Sequence, residues 1–134
     1  MGLPMRLEAK AALALGILLP ALETCRLGLG GAGLDFTSKL PDYFAGALLL
    51  VGAWAAHRHR SWAVPFLVAA WSWVTGLFAN STFDQALDTF RSTEAERYNA
   101  IVLTVKFLLC GTSALALALA FRSALRGLNS RKHS

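Results

Sequence analysis

The sequence predicts an all-α integral membrane fold: an antiparallel four-helix transmembrane bundle, with a short interfacial helix in the loop before the fourth span. Three observations predict it. Of the 134 residues, 55% are hydrophobic and only 16% charged, against about 25% charged in a soluble domain. The apolar residues fall in four blocks, each near the roughly 20 residues that a helix needs to cross a hydrocarbon core. The basic residues gather at alternate ends of these blocks, as in multi-pass proteins. A single membrane domain over residues 1–134 follows, with spans at about 9–29, 41–57, 61–79 and 98–121.

The first block follows Arg6 and Lys10, which is also the outline of a signal peptide. No A-x-A cleavage site follows, and Glu23 and Thr24 spoil a lipobox at Cys25. The expectation is therefore a retained span over 9–29, interrupted at Pro20 and carrying Glu23 and Arg26 in its last two turns. Proline removes one backbone bond, which membrane helices tolerate where neighbours re-satisfy the freed group.

Residues 30–42 read as a loop from their glycines and Pro41. The second block, 41–57, is at the short end of a spanning helix. Trp54 and Trp62 flank the basic turn His57-Arg58-His59-Arg60, the pattern of an aromatic belt at a membrane surface. The third block, 61–79, contains Trp71 and Trp73, which are expected to pack or to face lipid.

Residues 80–97 form the longest polar segment. Within it Phe83, Ala86, Leu87 and Phe90 recur at helical spacing, which predicts a short interfacial helix at about 82–91. Thr82-x-x-Gln85 and Thr93-x-x-Glu96 both read as capping boxes. The fourth block, 98–121, is the longest apolar run and holds one charge, Lys106. Its Ala/Leu alternation over 114–120 has a strand-like period, but a lone strand in lipid leaves its backbone unpaired, so helix is expected.

Four spans put both termini on the side of the Arg58 turn. That side carries Arg6, Lys10, Arg58, Arg60, Arg122, Arg126, Arg131 and Lys132, while the other carries Lys39, Arg91 and Arg97. The excess predicts cytoplasmic N and C termini. The Ala- and Leu-rich spans point to a bacterial inner membrane.

A charge at a helix centre in lipid costs about 2.5–3.5 kcal/mol on insertion scales, so it faces a partner or a wet cavity. By helix rise, Lys106 lies about 12 Å and Glu23 about 9 Å below the same boundary. Arg26 is shallower and can snorkel outward. Asn99, Lys106, Cys110 and Ser113 share one stripe of the fourth span. The smallest and most polar stripe of the third span runs through Pro65, Ser72, Gly76 and Asn80. The expected ligand or ion/proton site is therefore Glu23, Arg26, Lys106, Asn99 and Ser72, with a Glu23–Lys106 pair at its centre and a register-fixing role as the simpler reading.

No Ser/His/Asp or Cys/His constellation is present, so no catalytic residues are assigned. The paired His57 and His59 lack a third ligand, the two cysteines lack metal spacing, and no histidine lies inside a span to hold haem; neither metal nor other cofactor is expected. Net charge is +5, but the basic residues do not form one face of a soluble fold, so nucleic acid is not an expected partner. The expected partners are the lipid bilayer and either another membrane protein or further copies of this chain. The function predicted is a non-enzymatic subunit or accessory of a membrane complex. The alternative is a small oligomeric transporter or channel using Glu23 and Lys106, and a membrane redox or lipid-modifying enzyme is the third option. Glu23 is similar in placement to the first-span glutamate of small multidrug-resistance transporters. Arg26 and the lack of their third-span tryptophan–glycine pattern set this chain apart.

Overall fold

The computed structural model describes residues 6–28, 36–91 and 96–131; within them, the side chains at 23, 26–28, 36–39, 88–91, 96–99 and 127–131 lie outside the description. The described residues form four helices and no strand: α1 Leu7–Gly28, α2 Phe36–His57, α3 Ala63–Arg91 and α4 Glu96–Arg131. Two of them are long and apolar enough to cross a membrane, α3 over Ala63–Leu87 and α4 over Ala100–Arg126.

Alanine and leucine dominate α1, and both favour helix. Pro20 sits inside it without ending it. α2 begins at Phe36, earlier than expected, and takes Pro41 into its second turn. Its far end closes in a Schellman motif: His59 adopts a left-handed φ of 51°, the His59 N–H donates to Ala56 O at 3.1 Å, and the Arg60 N–H donates to Ala55 O at 3.0 Å. These bonds satisfy carbonyls that the helix end would leave open. α3 then starts at Ala63.

The expected break after residue 79 is absent. Residues 82–91 are helical, but they are the last turns of α3 and not a separate interfacial helix. Thr82 is no cap; its hydroxyl donates to Phe78 O at 2.6 Å. Asn80 Nδ2 donates to Asp84 Oδ2, one turn on, at 3.4 Å. The polar segment thus satisfies itself within the helix, so its polarity does not interrupt it. The second capping box, at Thr93, lies outside the described residues. α4 continues past Phe121 through the basic tail to Arg131.

Each helix runs antiparallel to the next. Gly16 and Pro20 of α1 meet Leu50 and Gly46 of α2, and Gly52 of α2 meets Leu67 of α3. Lys106 of α4 reaches Ser81 and Gln85 of α3, and Ser123 of α4 reaches Glu8 of α1. One end of the molecule therefore gathers Arg6, Lys10, Arg58, Arg60, Arg122 and Arg126.

The core is built from small residues around a few large ones. Leu49, Leu67, Trp71 and Val74 pack with Ala9, Ala12, Ala45, Ala53, Ala70, Ala116 and Ala120. Small residues let helix backbones approach, which is the main source of helix association in lipid. Among the described side chains of α4 the buried positions are Ser113, Ala116 and Ala120, a helical stripe, while Leu115 between them is exposed. The Ala/Leu alternation is helical, as expected. On α3 the expected small, polar stripe faces outward: Pro65, Ser72, Gly76 and Asn80 are all exposed. The inward face is Leu67, Ala70, Trp71 and Val74, whose larger apolar area gains more from contact. Trp73 is on the other side and meets Phe44 edge-on at 6.0 Å.

Candidate ligand and ion site

Lys106 is half-buried between α4 and α3. Its Nζ donates to the Ser81 carbonyl at 3.2 Å and to Gln85 Oε1 at 3.3 Å. Both acceptors come from the turns of α3 that continue past the expected break. A shorter third helix would leave Lys106 without them. The ammonium thus ties the far ends of α3 and α4.

Of the other expected site residues, Glu23, Arg26 and Asn99 have side chains outside the described residues, so the Glu23–Lys106 pair is not among the described contacts. Ser72 is exposed, not interior, and its Oγ donates to Val68 O at 2.8 Å in its own helix. It stands nine residues before Ser81, about 14 Å along the axis. Ser72 and Lys106 therefore belong to different places. Cys25 and Cys110 are free thiols. Among the described residues no three His, Cys, Asp or Glu side chains stand close enough to hold a metal ion.

A second place was not expected from sequence. At the basic end, Glu8 is only 6% exposed, and Ser123 Oγ donates to its Oε1 at 2.7 Å. The two residues are 115 positions apart and join the start of α1 to the last third of α4. They line a cleft of about 500 Å³ with Arg6, Arg122 and Arg126. On the other side of Arg122, a groove of about 550 Å³ runs between α3 and α4, lined mainly by Val68, Ala114, Leu117, Ala118 and Phe121. Arg122 borders both. The charge count at this end was legible in the sequence; the burial of its one carboxylate was not.

Comparison with family models, with curated proteins and with solved structures finds no match for this chain.

Proposed function

We propose that this is a multi-pass membrane protein of four spans, with both termini cytoplasmic in a bacterial inner membrane, acting as a non-enzymatic subunit or accessory of a larger membrane complex. One observation carries the reading. α4 leaves Ile101, Val105, Phe107, Leu108, Leu115 and Phe121 exposed along its length. An apolar surface that long is a membrane or protein contact surface. α1 and α2 continue it with Leu13, Ile17, Leu18, Phe44, Val51 and Trp54, which supports four spans over two. The six described basic residues at one end support the orientation. Lys106, held by neutral groups of α3, supports a packing role for the one charge inside the fourth span.

The test is purification from membranes in a mild detergent after extraction with alkaline carbonate, with reporters fused after Ser134 and within 30–34. The reading expects a carbonate-resistant protein, a cytoplasmic C terminus, an opposite-side loop and a stoichiometric membrane-protein partner. A pure homo-oligomer whose pH-dependent flux in liposomes disappears with Glu23→Gln would replace it with the transporter reading.

A further inference from the structure

We propose that the basic end of the molecule holds one anionic phospholipid, with its phosphate in the Arg6–Arg122–Arg126 cleft and an acyl chain in the groove between α3 and α4. The inference rests on the membrane reading above and adds a ligand to it.

Charge supplies the first ground. The cleft presents three guanidinium groups and one carboxylate, an excess of two positive charges. The carboxylate, on Glu8, is engaged by Ser123. Arg122 and Arg126 stand one turn apart on α4, so both can address one phosphodiester, and guanidinium forks suit phosphate oxygens. Arg6 reaches the same cleft from the start of α1.

Continuity is the second ground. A free anion needs only the polar cleft. Here Arg122 is also the rim of an apolar groove of about 550 Å³, formed by Val68 and Ser72 on α3 and Ala114, Leu117, Ala118 and Phe121 on α4. The alanines on α4 leave room where larger residues would close the space against α3. Polar and apolar volumes that meet at one arginine match an amphiphile with a charged head, and neither half alone requires one. The third ground is position. The cleft sits at the end predicted to face the cytoplasm, whose leaflet presents anionic headgroups to juxtamembrane arginines.

The experiment uses the full chain in detergent micelles, first shown to be membrane-embedded by carbonate extraction. Native mass spectrometry then counts retained lipid with equimolar phosphatidylglycerol and phosphatidylcholine added. Preferential retention of one phosphatidylglycerol is expected. Either Arg122→Gln or Arg126→Gln should lower it about fivefold, and the pair about thirtyfold. Ala118→Phe, which fills the groove and leaves the arginines in place, should lower retention of both lipids. Arg58→Gln with Arg60→Gln, at the same end but outside the cleft, should change nothing. Equal retention of the two lipids, or equal loss in the Arg58/Arg60 control, overturns the proposal in a protein that still resists carbonate. Inorganic phosphate that raises the melting temperature as much as the lipid also overturns it, because the groove is then idle. Release by carbonate overturns the membrane reading itself.

Discussion

The carbonyl oxygen of Gly16 lies 3.1 Å from the point where a Cβ on Gly46 would stand. That oxygen lacks its usual helical donor, because the residue four positions on is Pro20. A Cβ at position 46 would crowd both that oxygen and the Pro20 ring. α1 thus keeps its proline because α2 has no side chain at the crossing.

The two glycines are not equivalent. A Cβ on Gly46 would meet the Pro20 ring at 2.8 and 2.9 Å, whereas one on Gly16 would meet Leu50 at 2.8 Å. The ring cannot rotate away and the leucine can. Gly46→Ala is expected to cost about 1–3 kcal/mol and Gly16→Ala less, read as unfolding free energies in detergent. Equal losses, or none at Gly46, would contradict the crossing.

Lys106 Nζ donates to Gln85 Oε1 at 3.3 Å. In a double-mutant cycle with Lys106→Met and Gln85→Leu, the coupling is expected at about 0.5–1.5 kcal/mol. Strictly additive losses would leave the Ser81 carbonyl as the only functional acceptor. A parallel cycle with Glu23→Gln asks whether Lys106 also serves α1.

His59 occupies a left-handed position with φ 51°, where glycine has no steric cost. His59→Gly is expected to stabilise the protein by about 0.5–1 kcal/mol. The residue is exposed in the turn, so no packing is lost. Thermal unfolding of the variant checks this, and a lowered melting temperature would mean the imidazole has a contact of its own.

Trp71 is fully buried, yet its indole Nε1 has no hydrogen-bond partner, and neither does Thr75 Oγ1 one turn later. Trp71→Ala should cost about 3–5 kcal/mol through the cavity it leaves. Trp71→Phe should cost far less, because it also removes an orphaned donor. Thr75→Val is expected to be neutral or mildly stabilising for the same reason. A Thr75→Val variant that loses as much as Trp71→Ala would reveal a bonded hydroxyl.

The helices were legible because long apolar runs and Ala/Leu content speak for themselves. Of the stripe expected on α4, Ser113 is buried and Lys106 and Cys110 are half-buried, while the side chain of Asn99 lies outside the described residues. α3 departs from the sequence expectation at two places, each for a physical reason. Asn80, Ser81 and Thr82 resemble a loop, but Thr82 returns its hydroxyl to Phe78 O and the backbone stays helical. Ser72 and Gly76 resemble an interior stripe, but Trp71 and Val74 have more to gain there. The Glu8–Ser123 contact had no local signal, since a carboxylate among arginines reads only as a charge until the fold closes the ends together.

The unbroken α3 also gives the molecule a step. Gly52 meets Leu67, so α2 and α3 are level there. Following α2 back to Phe36 reaches the level of Phe83, but α3 goes on to Arg91, about 12 Å further. α4, beginning at Glu96, comes down beside it. Among the described residues, α3 and α4 therefore extend beyond α1 and α2 away from the basic end, with Phe83 and Leu87 exposed on α3. Among the described residues, a neighbouring protein approaching that side meets α3 and α4 before it meets α1 or α2.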